Sequence, residues 1–330
     1  MKLNVIVLMG GPSEEHEISL KSGHGAVDAL RQRGLAAEPV LIPRTASVNE
    51  ACGMVRRAVA EREADVVFIA LHGAFGEDGT IQQVCESLHV AYTGSDTSAS
   101  RLGMDKIASR QRFLDAGLEV PRSRVVEASR AGSSAPKGLR FPLMVKPSAQ
   151  GSSIGVSLVR RSSDLAAAVR EAARHGAQVL VEEFIPGREL TVSVLGDDVL
   201  PVVEVIPKRA FFDFTSKYTA GMTEYRVPAF LNPEIAHRVQ EAGRRAHEAL
   251  GCRHFSRADL ILSEAQSPVV LEVNTIPGLT PTSLLPKAAA CVGISYGALC
   301  EQLVMMACPA HKLAAVGGAG HGSPAASAHP

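Results

Sequence analysis

The chain has no tryptophan and four tyrosines in 330 residues, so a local cluster of aromatic side chains stands out. Its six cysteines (Cys52, Cys85, Cys252, Cys291, Cys300 and Cys308) are scattered and form no C-x-x-C pair. That argues against a zinc site or a dithiol redox motif and reads as reduced, mostly buried thiols of a cytosolic protein. Charge of one sign is not in excess: Lys plus Arg and Asp plus Glu are 34 each. There is thus no basic surplus for nucleic acid and no basic helix for a membrane surface. No apolar run approaches the length of a membrane span, and Val5 to Met9 is too short for the core of a signal peptide. The dinucleotide fingerprint G-x-G-x-x-G is missing after the first strand, and so is the P-loop pattern, which excludes a nicotinamide dehydrogenase and a P-loop nucleotidase. Internal repeats at solenoid periods are absent.

What is present is a 46% hydrophobic, 21% charged chain, long enough for two or three compact units. In the first third, strand-like and helix-like segments alternate. Leu3 to Met9, Ala37 to Ile42 and Val66 to Leu71 read as strands. Ile18 to Gln32 has helical spacing and stops at Gly34, and Asn49 to Glu61 reads as a helix capped by Asn49. This alternation implies a parallel sheet covered on both faces, with ligands beyond the carboxyl ends of its strands. Those ends are Gly10-Gly11 and the run His72 to Gly79. The pattern changes near Gly94-Ser95. Lys106 to Ala116 is a helix, and residues 128–138 form a Ser/Ala/Gly/Pro-rich loop. Mixed strands and short helices follow to about Met306, and a tail without apolar periodicity ends the chain.

Several segments carry candidate chemistry. Arg257-Ala258-Asp259 and Glu272-Val273-Asn274 lie in two alternating strands joined by a turn around Ser263 to Pro268. Residues two apart share a face, so Arg257 pairs with Asp259 and Glu272 with Asn274. An Asp, Glu and Asn oxygen patch without Cys or His suits Mg2+ or Mn2+, and a solvated polar face is the other reading. Lys146 ends a strand and leads into Gly151-Ser152-Ser153-Ile154-Gly155, whose backbone N–H groups and hydroxyls suit a phosphate or simply form a hairpin turn. Gln178 to Glu189 is a strand entering a turn. Its apolar residues could hold a purine, Glu182 could read the purine edge and Glu189 could accept ribose hydroxyls. Glu14, Glu15 and Glu17 would repel a pyrophosphate. Glu15 suits a substrate cation, and Glu14 and Glu17 suit the N-terminus of the following helix. Phe211 to Thr219 clusters aromatic and charged residues, as core packing or as a lid that excludes water.

These motifs together resemble the D-alanine–D-alanine ligase family of the ATP-grasp superfamily, over about residues 3 to 308. The matching stretches are Gly10 to Glu15, Ala70 to Gly79, Tyr92 to Ser95, Met104 to Lys106, Val145 to Gly155, Lys217-Tyr218, Arg257 to Asp259 and Glu272 to Gly278, in that order. The resemblance implies an α/β ATP-grasp fold. Its parts would be an N-terminal parallel α/β domain (1–98), a small central α+β subdomain (99–181) and a C-terminal α+β subdomain (182–308). A lid would span about 207–223, ATP would lie between the last two units, and 309–330 would be a disordered tail. It implies that Lys106, Lys146, Gly151, Ser152 and Ser153 hold phosphates, that Glu182, Glu183, Phe184 and Ile185 line the adenine site, and that Glu189 holds the ribose. Asp259, Glu272 and Asn274 would ligate two Mg2+ or Mn2+. Glu15, linked to Ser152 and Tyr218, would hold the ammonium of the first D-alanine, with His72 nearby and Lys217 at the substrate. Arg257 and the Gly278 N–H would hold the oxyanion, and Ser283 and Leu284 the carboxylate of the second D-alanine.

The implied reaction runs through an acyl phosphate to D-alanyl-D-alanine for peptidoglycan precursors, in the cytoplasm, with a homodimer as the family's common state. This chain departs from the family at Glu183, where Lys is frequent, and at His16, where Arg is common. The tail after Pro309 is additional. Related ligases make D-alanyl-D-lactate or D-alanyl-D-serine, and the lactate-forming type typically replaces the lid tyrosine, so Tyr218 favours the dipeptide. A ligase of secondary metabolism and a silent ATP-binding regulator are the other readings. The second would lose a metal ligand or Arg257, and all are present.

Overall fold

The computed structural model describes residues 3–127, 135–151, 154–207 and 222–309. Ser152, Ser153, Lys217, Tyr218, most of the expected lid and the tail from 310 lie outside the described residues. The first apolar runs form β1 (Asn4–Gly10), β2 (Ala36–Ile42), β3 (Val66–Ile69) and β4 (Ala91–Tyr92). They make a parallel sheet in the order β2-β1-β3-β4. Parallel strands need crossovers, here α1 (His16–Gln32), α2 (Val48–Glu61) and α3 (Thr80–Ser87). The expected N-cap Asn49 is replaced by Ser47, whose Oγ accepts from Glu50 N while the Glu50 carboxylate accepts from Ser47 N. A Ser with Glu three residues on closes a reciprocal box that Asn49 has no partner to form. Helix α1 lies directly on β1: a Cβ at Gly23 would stand 2.5 Å from Met9 Cβ.

Two helices, α4 (Thr97–Met104) and α5 (Lys106–Asp115), follow end to end, capped by Asp96 and Asp105. The next sheet is antiparallel, from β5 (Ser123–Glu127), β6 (Leu143–Pro147), β7 (Ser157–Val159) and β8 (Gln178–Glu183), in the order β5-β8-β6-β7. Helix α6 (Ser162–Ala172) covers one face, packing Leu165 and Val169 against Leu143, Val145, Val179 and Val181. The expected border at 181/182 falls inside β8.

The third sheet comprises β9 (Gly187–Leu195), β10 (Asp198–Val199), β11 (Val203–Pro207), β12 (Thr223–Arg226), β13 (Phe255–Ser263) and β14 (Pro268–Asn274). Its main path is β12-β11-β9-β13-β14 and every pair is antiparallel. Helix α7 (Pro233–Ala249) fills one face with Val239 and Ala246 against Val192 and Leu260. The chain then leaves this sheet. Helices α8 (Leu284–Cys291) and α9 (Tyr296–Ala307) place Leu285, Leu299, Leu303 and Val304 in the core of the first sheet, with Val5 to Met9. Residues expected to belong wholly to the C-terminal unit thus complete the N-terminal core. Among the described residues no single helix is long and apolar enough to cross a membrane. The bent pair α8 and α9 turns by 103° and is packed into this core.

Candidate active site

A cavity of about 370 Å³ opens between the second and third sheets. The second sheet contributes Met144, Lys146, Glu182 and Glu183, the link to the third contributes Phe184 and Ile185, and the third contributes Glu189, Thr191, Asp259 and Glu272. Lys106 enters from the start of α5. The two lysines expected at phosphate sit on carboxylates. Lys106 Nζ is 2.9 Å from Glu272 Oε2 and donates to Gln150 O at 3.0 Å. Lys146 Nζ is 2.6 Å from Glu182 Oε2. Burial alone would lower the Lys146 pKa, but the carboxylates of Glu182 and Glu272 carry it net above the usual lysine value. Arg110, 3.6 Å from the other Glu182 oxygen, was not singled out in the sequence. Its signal was the i, i+4 spacing from Lys106, which puts both cations on one face of α5.

The polar patch forms as the two-residue period requires. Arg257 lies opposite Asn274 and Asp259 opposite Glu272 across the β13–β14 pair. Arg257 clasps Asp259 through Nε at 2.7 Å and Nη2 at 2.8 Å, and Asn274 Nδ2 donates to Asp259 Oδ2 at 3.1 Å. Three hard oxygen donors on adjacent strands fit Mg2+ chemically. Glu183 lines the cavity at its edge, where its carboxylate accepts from Arg140 N at 3.0 Å.

A second cluster gathers at the carboxyl ends of the parallel strands. Glu15 occupies the N-cap position of α1 without capping it. Its carboxylate instead faces two loops: a Cβ at Gly73 would stand 2.8 Å from Glu15 Oε2, and one at Gly151 would stand 3.4 Å away. Glu14, expected to serve the helix end, ion-pairs with Arg44 at 2.8 Å because it points outward. His72 is buried, with Nε2 3.0 Å from Ser22 Oγ and Nδ1 3.3 Å from Ile276 O. Its Nδ1 is also 3.4 Å from Glu77 Oε1. Burial pulls the His72 pKa down, yet the Glu77 hydrogen bond and the charges of Glu77 and Glu15 lift it overall, while burial pushes Glu77 up. Ser22 and Glu77 were missed as partners. Glu77 is five residues from His72 around a turn with Gly73 at φ 69°, a proximity no simple period signals. Ser283 precedes α8, and its Oγ accepts from Thr280 N at 3.1 Å and lies 2.7 Å from Thr280 Oγ1. A Cβ at Gly278 would stand 3.0 Å from Ser283 Oγ, so Gly278, Ser283 and the buried Leu284 form one corner. Tyr296 of α9 ties that corner down by donating to Leu279 O at 2.7 Å.

A parallel α/β unit followed by two antiparallel sheets, with lysines and carboxylates converging in the cleft between them, defines an ATP-grasp enzyme. The families described as D-ala D-ala ligase N-terminus and D-ala D-ala ligase C-terminus match residues 43–95 and 115–305. A D-alanine--D-alanine ligase of Anaeromyxobacter sp. (strain K) is 44% identical over 302 residues, 91% of this chain and 95% of the relative. The solved structure of a D-alanine--D-alanine ligase from Bacillus anthracis complexed with ATP is 29% identical, with TM-score 0.78 over 93% of this chain and 97% of that one. The VanG D-Ala:D-Ser ligase from Enterococcus faecalis is 30% identical, with TM-score 0.77 over 93% of this chain and 99% of that one. The chain belongs to the D-alanine–D-alanine ligase family.

Proposed function

We propose that this enzyme joins two D-alanines at the expense of ATP, giving D-alanyl-D-alanine, ADP and phosphate for peptidoglycan precursors. The observation that carries this reading is the convergence of Lys106, Lys146, Asp259 and Glu272 from separate elements on one cavity. In that cavity Phe184 and Ile185 would line the adenine site, Glu182 would read its edge, with Glu183 beside it, and Glu189 would accept from the ribose. Lys106 and Lys146 exchange their carboxylate partners for phosphate oxygens, assisted by the Gly151 loop. Asp259, Glu272 and Asn274 hold two Mg2+ ions, or Mn2+ in their place, which supply the positive charge that offsets the transferring phosphoryl group.

Glu15 holds the ammonium of the first D-alanine, with His72 and Glu77 setting the charge of the wall behind it. The first D-alanine's carboxylate attacks the γ-phosphorus, the bond to ADP breaks, and an acyl phosphate results. Ser283 and Leu284 place the carboxylate of the second D-alanine. Its amine attacks the acyl carbon, and Arg257 with the Gly278 N–H stabilises the oxyanion before phosphate leaves. Roles for Ser152, Ser153, Lys217 and Tyr218 rest on the resemblance, since these residues lie outside the described ones. A three-unit division rests on it as well, with borders near, but not at, 98/99 and 181/182, which cut α4 and β8. So do a cytoplasmic location and a homodimer, and light scattering tests the last.

D-Serine as acceptor is the second reading, favoured by the likeness to the D-Ala:D-Ser ligase. Phosphate release with D-alanine alone and with D-alanine plus D-serine or D-lactate, with products identified by mass spectrometry, separates the two. Dipeptide from D-alanine alone is the expected result. A mixed product in excess would overturn the acceptor assignment.

A further inference from the structure

Strand β9 carries two hydroxyl groups that this chemistry does not use. Thr191 and Ser193 are 3% and 1% exposed, and among the described residues neither Thr191 Oγ1 nor Ser193 Oγ has a hydrogen-bond partner. Their neighbours Leu190 and Val192 point the other way, into the core under α7. A buried hydroxyl that makes no hydrogen bond costs free energy that an apolar residue of the same shape would not. Two on the same face of a central strand call for hydrogen-bond partners.

The register shows which. Thr191 lies opposite Asp259 and Ser193 opposite Arg257, while Asp259 lies opposite Glu272. Cross-strand partners share a face. Thr191, Asp259 and Glu272 therefore form one row across three strands, and all three line the cavity. Asp259 is turned along its own strand, with its oxygens 2.7 and 2.8 Å from the Arg257 guanidinium. A carboxylate that turns its oxygens toward a metal gives up part of its pairing with the guanidinium, and Thr191 is its neighbour across the strand.

We propose that Thr191 is a positioning residue whose hydroxyl donates to the Asp259 carboxylate when Asp259 leaves Arg257, holding it in its metal-bearing orientation. This rests on the reading of Asp259 as a metal ligand. Ser193, one row along, faces Arg257 in the same way.

The test is Mn2+ binding to the full chain with the non-hydrolysable ATP analogue AMP-PNP, followed by electron paramagnetic resonance. Thr191→Val removes the hydroxyl and keeps the shape, whereas Thr191→Ser keeps the hydroxyl and removes the methyl. Thr191→Val is expected to weaken Mn2+ binding about tenfold and Thr191→Ser by less than about twofold, the range of other groups that orient metal ligands. The thermal midpoint of metal-free Thr191→Val should equal or exceed that of the unaltered protein, because an unpartnered hydroxyl has gone. Unchanged Mn2+ affinity, a lowered metal-free midpoint, failure of Thr191→Val to fold, or equal weakening in both variants would each overturn the assignment. D-alanine-dependent phosphate release is measured on the same unaltered preparation. A Thr191→Val shift without that turnover sinks the ligase reading and leaves Thr191 in place. Turnover without the shift sinks Thr191 alone.

Discussion

Arg257 closes its fork on Asp259, and in the proposed reaction the same fork would face the oxyanion. Lysine keeps the charge but not the planar pair of donors. Arg257→Lys is therefore expected to lower kcat by about 10²–10³-fold, the loss typical of a missing oxyanion donor, with a smaller change in KM for ATP. Steady-state phosphate release reads both. Glu182 gives a second prediction. It is 3% exposed and neutralises Lys146 and Arg110 together. Glu182→Gln leaves two largely buried cations without their counter-charge, and should cost up to about 3 kcal/mol in the free protein. Mg-ATP should restore much of that loss, since phosphate supplies the missing charge, and thermal midpoints with and without nucleotide check it. The Lys146 pKa is raised, so its own contribution is present below the ordinary lysine value and is lost only as pH rises through the raised one. The neutral range leaves this pair intact.

At the scale of elements, the hairpin β13–β14 was the most legible part of the chain. A period of two assigns faces without tertiary knowledge, and Arg257, Asp259, Glu272 and Asn274 meet as that period requires. Helix ends were less legible, because Ser47 and Asn49 are both good caps and only the partner Glu50 decides between them. Contacts between elements were illegible. Gly23 is an ordinary helical residue by sequence, yet its missing Cβ is what lets α1 rest on Met9. Gly23→Ala gains about 1 kcal/mol of helix propensity. Overpacking against a sheet costs about 1–3 kcal/mol, so the substitution should be net destabilising, and urea unfolding measures the sign.

For the whole molecule, two long-range joints hold the units together. Leu303, near the end of the described chain, is fully buried in the core of the first sheet. Leu303→Ala should cost about 2–5 kcal/mol, and amide exchange should rise in β1, nearly three hundred residues away in sequence. The second joint links the 92–95 turn to Arg253 and His254. Gly94 N donates to His254 Nδ1 at 3.2 Å, Arg253 Nε donates to Gly94 O at 2.9 Å, and the Arg253 guanidinium lies 4.7 Å from the Tyr92 ring centre. Burial and then the Arg253 charge hold the His254 pKa down to about 4. The unfolded chain therefore takes up the proton first as pH falls. This joint contributes fully above about pH 6.5 and is lost between there and pH 4. His254 has φ 62°, which Asn tolerates, so His254→Asn should flatten the acid loss without straining the backbone. Urea midpoints at pH 7 and pH 5 in both proteins measure it.

By itself, the order of motifs determined the family, and the two-residue period determined which groups of β13 and β14 share a face. The motifs and the period are each written within a few residues, and only the order of the motifs runs along the whole chain. Tertiary structure alone decided that Lys106 rests on Glu272, that Arg110 joins Glu182, and that Glu77 stands behind His72. It also decided that the last two helices finish the first sheet, and that Thr191 faces Asp259. All but the His72–Glu77 pair, which a tight turn brings together, are meetings of segments far apart in the chain. Side-chain pairing of that kind depends on how sheets and helices stack, and no residue spacing encodes the distance between two surfaces.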